Sequence, residues 1–93
     1  MARLKVVKTE QFLVDVEDVV LFIAQDNVIA ALDLEQHVHS QVDGLADPNF
    51  PRRLGRRPDT LELVVHPNYV VVLQQTDTTV TALNLLHVAR QYP

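Results

Sequence analysis

At 93 residues, with 47% hydrophobic side chains and only two glycines, the chain has the apolar material for one small core, and we expect a single domain over residues 1–93. The absence of cysteine excludes disulfides, thiolate zinc sites and cysteine nucleophiles together. The net charge of −4 is divided unevenly, with three basic and nine acidic side chains in residues 1–50 against five and three in residues 51–93, so the chain is poorly charged for gripping nucleic acid.

The first eight residues, MARLKVVK, lack the apolar segment of a secretory signal, and no apolar run approaches the roughly 18–20 residues of a membrane span, so cytoplasmic residence without a membrane is expected. Lys5-Val6-Val7-Lys8 is β-branched and flanked by charge, which suits a first strand at a sheet edge. Thr9 can cap the helix that follows, and Glu10 falls in its first turn, where a carboxylate favours the dipole. From Phe12 the apolar positions Phe12, Val16, Val19, Val20 and Ile23 recur at helical spacing.

Asp26-Asn27 interrupts that pattern with two capping side chains, which predicts a second helix from Val28 to about Leu45. Its inward stripe is Ala31, Leu34, Val38, Val42 and Leu45, and so short a join makes the two helices an antiparallel hairpin. Residues 46–59, with Pro48, Pro51, Pro58 and Gly55 among four arginines, read as a long loop. Three strand-like runs follow: Leu61–Val65, closed by His66-Pro67-Asn68; Tyr69–Gln75, closed by Thr76-Asp77-Thr78; and Thr79–Leu86. The order predicts an α+β domain with the helices on one face of the sheet. Simple alternation along the last strand places Thr81, Leu83, Leu85 and His87 on one side and Val80, Ala82, Asn84 and Leu86 on the other. Both sides are apolar, which predicts a second sheet face meant to be covered by something else.

The candidate chemistry is sparse. Arg52, Arg53, Arg56 and Arg57 could hold phosphates or carboxylates through bidentate bonds; equally they could pair with the acidic surface of the protein's own helices. His37 and His39 stand two apart on a helix, point in nearly opposite directions and cannot share a metal, so both read as surface residues. His66 and His87, near strand ends, have the titration range of a general acid or base, but a structural role fits both better. Tyr69 and Tyr92 could stack on a base or simply anchor a strand and the tail. The carboxylates form no recognisable catalytic pair, and no nucleophile elbow, phosphate-cradling loop or metal motif is present, so neither a cofactor nor a metal is expected.

Four segments in this order are similar to the RelE/ParE superfamily of toxins from type II toxin–antitoxin systems: Leu21–Asn27, Leu54–Asp59, Pro67–Val72 and Leu86–Gln91. The resemblance covers almost the whole chain. It implies a β-α-α-β-β-β fold, an N-terminal strand and an antiparallel helical hairpin packed on a curved, mostly antiparallel sheet. In the RelE branch of that superfamily, lysines and arginines on the exposed sheet face, with a C-terminal tyrosine, cleave messenger RNA on the ribosome. Matched by motif, the two strand lysines fall at Glu62 and Val64 and the arginine after the strand tyrosine at Val70. Arg90 alone keeps its character, and Tyr92 stands too close to it to match cleanly. Cations are what stabilise a phosphorane's charge, so this departure disfavours the nuclease.

The ParE branch lacks the nuclease set and poisons DNA gyrase by protein contact. The resemblance therefore implies a ParE-like, plasmid-stabilising toxin that binds DNA gyrase and is neutralised by a cognate antitoxin lying across apolar sheet and helix surfaces. Arg52, Arg53, Arg56, Arg57 and Arg90 are the expected target contacts, with Tyr69 as support. One alternative is a ribosome-dependent messenger-RNA interferase using Arg90 and His87. A second is a degenerate, non-toxic protein that only binds antitoxin, and a homodimer is compatible with any of these.

Overall fold

The computed structural model describes residues 2–89. Strand β1 (Lys5–Lys8) leads into helices α1 (Glu10–Ala24) and α2 (Val28–Gly44), followed by β2 (Arg53–Leu54), β3 (Leu61–His66), β4 (Tyr69–Gln75) and β5 (Thr79–His87). The strands form one sheet in the order β1-β5-β4-β3-β2, in which β1 runs parallel to β5 and the other neighbours are antiparallel. The expected α+β order is thus present, with β1 at an edge. The residues expected to form a plain loop contain the short β2, which pairs Arg53 with Glu62 and Leu54 with Leu61.

Local chemistry sets the helix ends. Thr9 Oγ1 accepts a hydrogen bond from Phe12 N at 3.0 Å, and Asn27 Oδ1 accepts one from Ala30 N at 3.0 Å, so each helix has one of its orphan donors satisfied by a side chain. Asp26 N and Asn27 N both donate to Ile23 O, at 3.0 and 2.9 Å, and this tightens the hairpin turn. Thr9 Oγ1 also donates to Leu83 O at 3.0 Å, tying the start of α1 to β5. Thr9→Ala removes both bonds, and an unfolding titration is expected to show a loss of about 1–2 kcal/mol, at the upper end of cap deletions.

The predicted inward stripes face the sheet. Phe12, Val16, Val38, Val42 and Leu45 pack with Leu63, Val65, Val71, Leu73, Val80, Ala82 and Leu85 in one core, and Val19, Val20 and Leu34 lie partly buried beside it. Alternation along β5 breaks inside the strand. Val72 opposes Asn84 while Leu73 opposes Ala82, which leaves Leu83 as an extra residue. Val80 and Ala82 therefore share the helix-side core with Leu85, and the expected grouping of Thr81, Leu83, Leu85 and His87 on one face is corrected.

Candidate functional site

The sheet face turned away from the helices is defined by the strand register. Arg53, Glu62, Val72 and Asn84 form one row across four strands, and Val64, Val70 and Leu86 form the next. The positions that resemble the nuclease set, Glu62, Val64 and Val70, do converge on one patch. It holds a carboxylate and two valines. Glu62 is 1% exposed; its Oε1 accepts from Arg53 Nε at 3.1 Å and forms an ion pair with Nη2 at 3.0 Å, while Oε2 accepts from Arg56 N at 3.2 Å. Glu62 is therefore an internal anchor for the loop above it rather than a charge offered to solvent.

The apolar part of this face differs from the sequence expectation. Val70, Val72 and Leu86 are buried, with Leu83 and Val88 packed against them, so the middle of the sheet face is covered within the chain. The bulge at Leu83 supplies part of that cover by placing an extra apolar side chain on this side. Val64 remains exposed.

The loop arginines have distinct settings. Arg52 folds back on its own loop: Nε donates to Phe50 O at 2.9 Å, Nη2 to Asp47 O at 2.7 Å and Nη1 to Gln75 Oε1 at 2.9 Å. Burial lowers its pKa, and nearby Asp47 acts in the opposite sense. Arg53 pairs with Glu62 of β3. Arg56 and Arg57 sit in the β2–β3 turn, where Arg57 O accepts from Thr60 N at 3.3 Å and from Thr60 Oγ1 at 2.8 Å. Gly55 enters this turn so closely that an added Cβ would meet the Thr60 hydroxyl and lie 2.9 Å from its carbonyl oxygen, which explains the small residue there.

Tyr69 is buried, with its ring 5.5 Å from that of His66 and 5.2 Å from that of His87. Each histidine Nδ1 accepts a backbone bond from two residues on, from Asn68 N at 3.0 Å and from Ala89 N at 3.2 Å. The rings thus close turns at the ends of β3 and β5, and each carries its proton on Nε2 in these bonds. Beside Tyr69 and His87 opens a cavity of about 250 Å³ whose other wall is the Asp15, Asp18 and Phe22 side of α1. Arg90 and Tyr92, two residues singled out from sequence, lie outside the described residues. Among the described residues no three His, Asp or Glu side chains are grouped to hold a metal ion, and no helix is long and apolar enough to cross a membrane.

Most of the exposed large apolar side chains among the described residues lie on the hairpin. Leu13, Val14, Leu21, Phe22, Val28, Ile29 and Leu32 are all exposed. The signal was present in the four-residue steps of α1: Leu13 and Val14, then Glu17 and Asp18, then Leu21 and Phe22 form two neighbouring ridges along the helix. On the other side of the hairpin, Lys8 Nζ lies 3.0 Å from His39 Nδ1 and 2.9 Å from Asp43 Oδ1. His39 is half-buried, edge-on to Phe12 at 5.9 Å, and so is not the surface residue expected from its spacing.

Burial lowers the His39 pKa from 6.5, and the Lys8 charge lowers it further against the raising effects of Asp43 and Glu35. Because the folded state favours neutral His39, its contribution to stability is complete above the unfolded value of 6.5 and is lost as pH falls through the lower folded value. Thermal melts between pH 7.5 and 5.5 are expected to fall less steeply for His39→Gln than for the parent chain.

The chain matches, over residues 6–92, the family described as ParE toxin of type II toxin-antitoxin system, parDE. No curated protein sequence matches it. Among solved structures, the chromosomal ParDE TA system from P. aeruginosa contains a chain with the same fold, at a TM-score of 0.78 and 13% identity over 91% of this chain and 96% of that one.

Proposed function

The chain belongs to the ParE toxin family of type II toxin–antitoxin systems, and from that premise we propose that it arrests growth by binding DNA gyrase and is held silent by a cognate antitoxin. The observation that carries the choice of protein contact over RNA cleavage is the patch formed by Glu62, Val64 and Val70. RNA cleavage by 2′-oxygen attack needs preorganised cations where the phosphorane's charge develops. Here the one guanidinium in the patch row, Arg53, is already neutralised by Glu62 at 3.0 Å, and Val70 is buried. A transcript placed on this patch would meet the exposed Val64 side chain where the nuclease needs a cation. Contact with a large protein asks for no such charges, since interface cores are depleted in them.

Inducing the chain in a bacterial host, with and without the cognate antitoxin, separates the readings. The expected result is growth arrest with a DNA-damage response and gyrase-linked breaks, both abolished by the antitoxin. Primer extension on messenger RNA would overturn the gyrase reading if it revealed codon-positioned cuts. Unchanged growth without antitoxin would overturn toxicity itself.

A further inference from the structure

We infer that the cavity between α1 and the end of the sheet that carries Tyr69 and His87 binds a small primary amine, held as its ammonium ion by Asp18 and the Tyr69 hydroxyl. The cavity measures about 250 Å³ and is walled from two sides. Asp15, Asp18, Val19 and Phe22 come from α1; Tyr69, Leu85 and His87 come from β4 and β5, where Tyr69 and His87 are opposed across the strands.

The Tyr69 hydroxyl is the observation that asks for a ligand. Tyr69 is only 8% exposed, yet its phenolic group has no hydrogen-bond partner among the described residues. A buried hydroxyl left in that state costs about 1–3 kcal/mol, and folded proteins hold few of them without a reason. The neighbouring histidines do not supply the partner: each engages Nδ1 with a backbone amide, from Asn68 N or Ala89 N, and meets Tyr69 through its ring, at 5.5 and 5.2 Å. A phenol both donates and accepts, so the hydroxyl alone does not tell an anion from a cation.

Charge decides between them. Asp15 and Asp18 stand three positions apart on α1 and border the cavity as neighbours, and no lysine or arginine lines it. An anion would meet two carboxylates, whereas a cation is attracted by both. Asp15 is anchored within the chain, accepting from Gln11 Nε2 at 2.7 Å and from Leu85 N at 3.0 Å. Asp18 is exposed, has no partner among the described residues, and is the carboxylate left for the ligand. The remaining walls set the form of the cation. A primary ammonium carries three N–H donors, enough for the Asp18 carboxylate and the Tyr69 oxygen together, while a quaternary ammonium carries none. Val19, Leu85 and the Phe22 ring offer apolar surface to a short alkyl chain, and the ring adds attraction for the charge itself.

Titrating the full chain with n-butylammonium while following amide chemical shifts by NMR tests this. The expected shifts saturate and centre on Asp18, Phe22, Tyr69 and His87, and butyrate produces none of them. n-Butyltrimethylammonium, which keeps the charge but has no N–H, is expected to bind at least about threefold more weakly, the loss of one hydrogen bond. Asp18→Asn should weaken the amine at least about fivefold, because the charge goes while the shape stays. Tyr69→Phe should weaken it at least about threefold and leave the Tm of the ligand-free chain undiminished, since the deleted hydroxyl has no internal partner to lose. The absence of saturable shifts, shifts scattered over the acidic surface of both helices, an equal response to butyrate, or equal affinity for the amine and its trimethyl analogue would overturn the inference. A lower Tm for Tyr69→Phe would do so as well, by placing the hydroxyl in a bond within the chain. No growth assay enters, so the outcome is read independently of toxicity.

Discussion

Glu62→Lys is expected to be among the most damaging single substitutions in the chain, although it restores the residue type that the nuclease branch carries at this place. The parent carboxylate is 1% exposed, accepts hydrogen bonds from Arg53 Nε and Arg56 N, and pairs with Arg53 Nη2. Its partner Arg53 is more than half exposed, so the lost pair alone costs less than a fully buried one, but the replacement buries an ammonium beside that guanidinium, and a loss of about 3–5 kcal/mol is expected. Against a total stability of about 5–15 kcal/mol for a small domain, the variant is left marginal. A fall in Tm of at least about 12 °C is the result to look for, since about 1 kcal/mol moves Tm by about 4–8 °C at this size. Glu62→Gln, which keeps the shape and one acceptor, should lose less. Melting at the parent temperature would show that the ion pair contributes nothing to the fold, and codon-positioned cleavage by the folded lysine variant would undo the argument that charge at this patch is anchoring.

Phe12→Ala carries the second large expectation, a loss of about 3–5 kcal/mol in a urea titration with the slope preserved. Phe12 is fully buried between the helices and the sheet, and its ring meets His39 edge-on at 5.9 Å. Truncation leaves a cavity under α1 and removes the wall against which His39 and Lys8 are held. The pH dependence assigned to His39 should therefore weaken in this variant as well. A loss below about 1 kcal/mol would mean that the helices collapse onto the vacated space, contrary to a core packed at crystal-like density.

What sequence revealed and what it hid divide along the distance between partners. The caps at Thr9 and Asn27 were legible because each side chain bonds a backbone group three residues on, and the inward stripes because helical spacing is local. The β4 and β5 runs were legible from β-branched composition and turn residues. The bulge at Leu83 was not, because it exists only in the pairing of β5 with β4. Glu62 read as a charge facing RNA because its partner stands nine positions earlier in a proline-broken loop, where no motif links the two. Lys8 and His39 lie 31 positions apart and meet only once β1 joins the sheet beside α2. An apolar helix surface was expected, but only the exposure of Leu13, Val14, Leu21 and Phe22 shows that it lies on the outer face of α1.

The parallel pairing of β1 with β5 has a consequence for how the molecule comes into being. Lys5 opposes Thr79 and Lys8 opposes Ala82, so the first strand made waits for the last. Contacts between opposite termini raise contact order and slow the search for the native topology. A nascent chain cannot close its sheet until nearly all of it has been synthesised, and a fragment ending before Thr79 has nothing on which its opening strand can dock. The opening strand therefore gains its place in the sheet only after Thr79–Ala82 have been made.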